Sequence, residues 1–285
     1  MYGTYLAEAI NSPFVHKQFI RIANGITRFG LVKEGINNIK LPLPPLPEQQ
    51  KIANILRVWD KAIEKVSTLI SLNEKFFNNL AKKLLKNCLN PQYLAWCPVT
   101  LGEIFTERRE TTLNKMELLS ITGSEGIVKK DSLKKRDTSN KDKSKYLLIY
   151  PGDLGYNTMR MWQGVCGISS LSGIVSPAYT ICIPNSSAIN TQFIYFLFKL
   201  PKMINEFYRY SQGLVDDTLG LKFSYFAEIK INIPTIEYQN QTANILLNYK
   251  NQISKYKNYK KALQSQKQGL IQKLLTGEWR VKIDE

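Results

Sequence analysis

The chain has 285 residues, and 39 Lys and Arg against 23 Asp and Glu leave a formal net charge of +16. With 44% hydrophobic and 22% charged residues its usage is that of an ordinary globular protein, which excludes wholesale disorder, and the surplus of cations suits a polyanionic partner. No apolar run reaches the roughly 20 residues needed to cross a bilayer, and residues 1–20 lack a signal-peptide layout, so a soluble, cytoplasmic chain is expected. Cys88, Cys97, Cys166 and Cys182 form no C-x-x-C pair, and His16 is the single histidine. Structural zinc, a disulfide framework and histidine-dependent catalysis are therefore not expected.

In chain order, residues 1–46 read as a helix, a Gly turn and one short extended run. Pro44, Pro45 and Pro47 cannot lie inside a helix, whereas a proline in the first turn is tolerated, so a long helix is predicted to begin near Pro47–Glu48. From there Ile52, Leu56, Trp59, Ile63, Val66, Ile70, Asn73, Phe77, Leu80 and Leu84 alternate spacings of four and three, the pattern of a coiled-coil strand. Asn73 is its polar member, a kind of residue that sets register at some cost in stability. Residues 91–235 have a different character, with β-rich runs at 117–122, 146–150 and 178–183 between Gly, Ser and Asn turns, then apolar-faced helices at 190–200 and 202–211. This predicts a mixed α/β domain of about 145 residues. A second long helix follows, with a seam through Leu246, Tyr249, Ile253, Tyr256, Leu263, Leu270 and Leu274, interrupted by Lys260 and Lys267 and stopping at Gly277. Each helix would run for about 38 residues, roughly 55 Å, and serve either as bundle core or oligomerisation stalk, or as a rigid spacer between recognition units.

The two helices belong to an internal repeat. Lys40, Pro44, Gln49, Ala53, Asn54, Ile55 and Leu56 fall on Lys230, Pro234, Gln239, Ala243, Asn244, Ile245 and Leu246. Upstream the alignment shifts by two, placing Pro13, Phe19 and Gly25 on Pro201, Phe207 and Gly213. The first copy matches only the end of the second, with nothing corresponding to residues 91–190.

Two segments carry candidate chemistry. KKDSLKKRDTSNKDKSK at 129–145 offers Lys129, Lys130, Lys134, Lys135, Arg136, Lys141, Lys143 and Lys145, flexible cations suited to phosphate contacts, unless it is simply a solvated loop. Arg108 and Arg109 are further phosphate candidates. In GDLGYNTMRMWQGVCG at 152–167, Asn157, Arg160, Met161, Trp162 and Gln163 are candidates for base readout, since Arg forks to guanine, Asn or Gln pairs with adenine, and apolar groups meet a thymine methyl. The alternative is that Trp162 and the methionines are core. Neither a P-loop nor a G-x-G-x-x-G fingerprint opens a helix, and no catalytic residues are assigned.

LPLPPLPEQQKIANIL at 41–56, its echo at 231–246, QKLLTGEWRV at 272–281 and the 152–179 segment together resemble the specificity subunit of type I restriction–modification systems. The resemblance implies an α+β fold, a mixed α/β target-recognition domain plus two long antiparallel coiled-coil-like helices. It divides the chain into a target-recognition remnant (1–46), a first conserved helix (47–90), a complete target-recognition domain (91–236), and a second conserved helix with a tail (237–285). It further implies a non-catalytic subunit that binds double-stranded DNA and docks methyltransferase subunits, which carry S-adenosylmethionine, and in some assemblies restriction subunits. No cofactor or metal is expected on this chain, nor a membrane partner. Leu56, Trp59, Ile63, Val66, Ile70, Asn73, Phe77, Leu246, Ile253, Leu263 and Leu270 would then form the helix-pair seam. A full family member carries two complete recognition domains. The chain thus looks like a C-terminal half-subunit, with a Met1 compatible with a natural start, reading one half-site and either self-pairing or joining a separate N-terminal half. A freestanding DNA-binding protein and a coiled-coil adaptor are the alternatives.

Overall fold

The computed structural model describes residues 2–23, 30–31, 33–90, 92–93, 95–112, 116–133, 142–185, 188–215 and 218–282. In chain order its elements are α1 (Gly3–Ile10), α2 (Pro13–Ile22), α3 (Lys33–Asn37), α4 (Leu46–Leu85), β1 (Cys97–Thr100), α5 (Leu101–Ile104), β2 (Phe105–Arg108), β3 (Leu119–Thr122), β4 (Gly126–Lys129), β5 (Leu147–Ile149), β6 (Leu154–Asn157), β7 (Cys166–Ile168), β8 (Gly173–Val175), β9 (Tyr179–Pro184), α6 (Thr191–Phe198), α7 (Pro201–Tyr210), α8 (Phe223–Ala227), β10 (Lys230–Ile233) and α9 (Ile236–Leu275). The repeat survives folding element by element. Helices α6 and α7 begin and end 188 positions after α1 and α2, and α8 and α9 lie 190 positions after α3 and α4.

One side chain organises each copy. The amide of Gln49 donates to the Pro44 carbonyl at 2.7 Å while its oxygen accepts from the Tyr2 N–H at 2.8 Å. Gln239 repeats this, donating to the Pro234 carbonyl at 2.9 Å and the Ala188 carbonyl at 3.1 Å and accepting from the Asn190 N–H at 3.0 Å. Both are buried, at 4% and 0% exposure. In both copies a buried amide in the long helix's first turn pairs the carbonyl of the proline before it, Pro44 or Pro234, which lies outside the helix ladder.

The chain divides into two compact units, Met1–Lys75 with Asn251–Glu285, and Phe76–Lys250, and each long helix contributes to both. In the first unit, Tyr5, Ala9, Ile52, Ala53, Leu56, Leu274 and Leu275 form one core, with Leu270 packed against it. A second cluster joins Val66, Ile70 and Leu263 with Trp59, Ile63 and Tyr256. Here the helices run antiparallel, tied by Glu74–Lys257 and Asp60–Lys267, each at 2.7 Å. Lys267, an interruption in the predicted seam, thus makes a cross-helix pair and also lies 3.7 Å from Glu8. Asn73 does not reach across as expected, because its amide donates to the Leu69 carbonyl of its own helix at 2.8 Å. At the entry of α4, the buried Glu48 carboxylate accepts from Arg280 at 2.8 and 2.6 Å and from the Val281 N–H at 3.1 Å.

In the second unit the antiparallel relation recurs where the Tyr238 hydroxyl donates to the Leu84 carbonyl at 3.1 Å. Strands β1 and β10 pair, β3 pairs with β4, β5 with β8, and a four-stranded antiparallel sheet runs β2-β9-β6-β7. An aromatic core of Phe105, Tyr156, Phe193, Phe198, Phe207 and Phe226 lies beneath it, joined by Leu85 of α4 and Leu246 of α9, with Phe77 packed alongside. The predicted strands and helices of residues 117–211 are found within a few residues of their expected places. Helix α4 begins at Leu46, next to the expected start, and α9 ends at Leu275, just before Gly277 with φ +78°.

Two outcomes follow from these entries. Gln239→Ala removes buried partners of the Asn190 N–H and the Pro234 carbonyl, so a loss of about 2–3 kcal/mol in urea unfolding is expected. The hydrogen bonds from Arg280 hold the Glu48 carboxyl below its ordinary value of 4.5. A depressed folded value stabilises above the unfolded pKa and is lost as pH falls through it. Acid melting curves of the wild type should therefore decline below about pH 4.5, and Glu48→Gln should flatten that decline.

Candidate nucleic-acid interface

Strand β6 lies between β9 and β7, and the loop that leaves it carries the candidate readout residues. Tyr156, at the end of β6, is fully buried, and the chain then turns over a 3-10 turn at Met161–Gln163. The Asn157 side chain accepts from the Met159 N–H at 3.0 Å, which opens the turn. Gly164, at φ +75°, closes it where a Cβ would meet the Ile204 side chain at 2.9 Å. From below, the Lys199 ammonium donates to the Gly164 and Cys166 carbonyls at 2.7 and 2.9 Å.

This architecture sorts the candidates. Arg160 and Gln163 are exposed and Asn157 is partly exposed on the same loop. Met161 is corrected from a base contact to a core residue: it is fully buried in the aromatic core and pins the loop from within. Trp162 is half-buried, its indole N–H donating to the Met159 carbonyl at 3.1 Å and its ring edge-on to Tyr208. It shapes the loop's flank and keeps part of its surface open.

Arg108 is likewise corrected. Its guanidinium forks to Asp153 at 2.9 and 3.1 Å, pairs with Glu110 at 2.8 Å and covers the Tyr150 ring, with the side chain only 11% exposed. Asp153 also accepts from the Tyr150 N–H at 2.8 Å, so the arginine braces the turn before β6 and is spent on internal contacts. Arg109 is different, with a side chain 83% exposed beside Glu107. In the basic segment, Lys129 pairs with Glu117 at 3.0 Å, Lys143 lies over the Tyr146 ring, Lys145 is exposed and Lys130 is partly so. Lys134, Lys135, Arg136 and Lys141 lie outside the described residues.

Sequence reasoning missed Asp153 and Lys199. The first could have been sought as an acid buried in an apolar run, since a fully buried carboxylate needs a cation. The second carried no signal, because its acceptors are backbone carbonyls. Burial pushes the Cys88 thiol up to about 12 and raises those of Cys166 and Cys182, so these three are not nucleophiles at neutral pH. No group of three or more His, Cys, Asp and Glu able to hold a metal occurs among the described residues, and none of their helices is long and apolar enough to cross a membrane.

A mixed α/β module entered and left through two antiparallel 40-residue helices, preceded by a repeat of its own closing elements, defines the class of fold. Residues 5–74 match the family model described as Type I restriction modification DNA specificity domain. The chain is 26% identical over 280 residues to the type I restriction enzyme MjaVIII specificity subunit of Methanocaldococcus jannaschii, covering 88% of this chain and 64% of that protein. It therefore spans less than two thirds of that relative's length. Among solved structures, the S subunit of a type I system from M. genitalium superposes with a TM-score of 0.60 at 19% identity, over 95% of this chain and 72% of that one. The HsdS subunit from Thermoanaerobacter tengcongensis gives 0.52 at 14% identity, over 97% and 70%. A chain from work on complex assembly and conformational transition of the type I R-M system gives 0.55 at 14%, over 96% and 71%. These structural likenesses show the fold. Residues 5–74 thus match a DNA specificity domain of type I restriction–modification systems, and the chain as a whole is similar to specificity subunits of such systems.

The two neighbouring arginines should separate in solution. Arg108→Ala leaves the buried Asp153 carboxylate without its cation and should cost about 3 kcal/mol or more in denaturant unfolding. Arg109→Ala should leave stability within about 0.5 kcal/mol of wild type.

Proposed function

We propose that this chain is the DNA sequence-recognition subunit of a type I restriction–modification assembly, and that it reads bases with the loop at 157–163. The observation that carries the reading is the division of labour in that loop: Met161 is locked in the core while Arg160 and Gln163 stand exposed. Two polar side chains matched to guanine and adenine edges are thereby held on a rigid base in a chain with net charge +16. The described lysines of 129–145, with Arg109, supply phosphate contacts that position the module without selecting sequence. Methyl transfer belongs to partner methyltransferase subunits carrying S-adenosylmethionine, for which the antiparallel helices offer a docking frame, and this chain contributes no catalytic group.

A finer reading concerns a further partner. Ile10, Leu31 and Ile36 are 39%, 47% and 46% exposed, whereas their repeat counterparts Phe198, Leu221 and Phe226 are buried. Phe198 and Phe226 achieve this against Phe105, and Phe226 also against Tyr156, on strands for which the first copy has no equivalent. The first copy's face thus suits a polypeptide module equivalent to residues 97–185.

Methylation mapping in cells expressing the chain with methyltransferase subunits tests the main reading. Arg160→Ala and Gln163→Ala should change the methylated sequence. Neutralising Lys129, Lys130, Lys143 and Lys145 together should weaken binding alike on all sequences and flatten its salt dependence. An unchanged motif in both loop variants would overturn the assignment of the loop.

A further inference from the structure

In the second unit, helix α7 and strand β10 bound a cavity of about 430 Å³ whose wall includes the buried Cys88 and Ile231 and whose rim carries Lys202, Glu206, Arg209 and Lys230. Strand β10 presents an open edge to it. The register with β1 sets Thr100 opposite Lys230 and Pro98 opposite Asn232, and the Leu101 N–H donates to the Ile229 carbonyl at 2.9 Å. Bonded and non-bonded pairs alternate along an antiparallel ladder, so the main-chain groups of Ile231 face β1 while those of Lys230 face away from it. Pro98, which has no N–H, and Thr100, whose N–H is held by the Glu103 carboxylate, fit that alternation. Among the described residues no partner takes the Lys230 N–H or carbonyl.

The first copy shows what such an edge accepts. Lys40 is the counterpart of Lys230. There the Gln18 side chain pairs with both main-chain groups, its oxygen accepting from the Lys40 N–H at 3.0 Å and its amide donating to the Lys40 carbonyl at 2.9 Å. A carboxamide thus stands where the peptide group of a neighbouring strand would. At the position of Gln18 the second copy has Glu206. A carboxylate has no N–H to offer the Lys230 carbonyl, and Glu206 instead accepts from Arg209 at 2.9 and 3.1 Å. One difference between amide and acid therefore closes the edge in the first copy and leaves it open in the second.

Charge and hydrogen bonding select the occupant. Arg209 is paired with Glu206, whereas Lys202 and Lys230 form no ion pair among the described residues, so the rim favours an acidic ligand. Free phosphate would set its oxygens against the outward Lys230 carbonyl, while a peptide group brings both a donor and an acceptor. Along β10, Lys230 is exposed and Ile231 buried, which matches an added strand whose side chains alternate between acidic and apolar.

We propose that the cleft between α7 and β10 docks an extended acidic segment of a partner protein, which joins the β10 edge through the main chain of Lys230 and sets its carboxylates beside Lys202 and Lys230. The site uses no residue of the 157–163 loop, and the inference does not depend on the DNA-recognition reading.

The test titrates the isotope-labelled full chain with a capped five-residue peptide of alternating Glu and Val, with its Lys/Val counterpart and with inorganic phosphate, read by amide NMR. The Glu/Val peptide should shift the Lys230 and Ile231 amide signals and slow exchange of the Lys230 N–H, and the other two probes should do neither. Glu206→Gln is the deciding variant. It makes the rim more positive, so attraction between charges alone predicts tighter binding, yet it restores the side-chain amide that caps Lys40 in the first copy. Its affinity for the Glu/Val peptide should fall about tenfold, the effect of losing a pair of amide hydrogen bonds, with a thermal midpoint no lower than wild type. Lys202→Gln/Lys230→Gln alters only exposed side chains and should abolish the preference for Glu/Val over Lys/Val. No shift at Lys230 up to the peptide's solubility limit, displacement of the peptide by phosphate, equal or tighter binding to Glu206→Gln, or an unchanged preference in the lysine variant each overturns the proposal.

Discussion

A buried glutamine amide, used twice, is the constraint on which both copies depend. Gln49 and Gln239 each join three pieces of chain: the proline that ends the extended run, the first turn of the long helix, and the entry to the copy's first short helix. An unpaired amide or carbonyl there would cost more than the hydrogen bond contributes, so the pairing acts as a strict condition on where the chain can turn. The surrounding helices keep offsets of 188 positions for α1 and α2 and 190 for α3 and α4. Around this shared clamp the copies diverge. Position 48 holds a carboxylate locked to Arg280, whereas its counterpart Tyr238 donates to the Leu84 carbonyl.

The 157–163 loop is built on the opposite principle, with apolar anchorage below and polar side chains exposed above. Met161 descends into the aromatic core, Lys199 fastens the closing glycine from beneath, and the Arg108–Asp153 fork stiffens the approach to β6. The cations and apolar side chains spent inside fix the loop that carries Arg160 and Gln163. A loop proposed to read bases gains from such anchorage, because a mobile loop would lose in ordering much of what a base contact contributes. The chain at Gly220–Leu221 leans on the same loop, the Leu221 N–H donating to the Thr158 carbonyl.

The long helices combine apolar packing with charged cross-links. Leu263 packs with Val66 and Ile70, and Lys267 reaches Asp60 and Glu8 where the apolar spacing lapses. Exposed ion pairs contribute little individually, but a partly buried lysine between two acids disfavours a slipped register that would leave it unpaired. The Lys267 interruption in the second seam thus supports one defined antiparallel pairing.

Much of this organisation was legible in the amino-acid sequence: the duplication, both long helices with their starts to within a residue or two, the main β runs, and the placement of readout candidates on a glycine-rich loop. Those features are local or periodic, set by proline geometry, heptad spacing and residue-by-residue identity between copies. What only the tertiary structure decided was which way individual side chains face. Met161 and Trp162 are neighbours of the same apolar type, yet one is core and the other flank. Arg108 and Arg109 are adjacent and chemically identical, yet one braces a buried aspartate 45 positions away and the other meets solvent. Asn73 fits the seam by spacing but satisfies its amide within its own helix. In each case the outcome turns on a partner distant in sequence or on competition for a hydrogen bond, and no spacing rule along the chain contains that information.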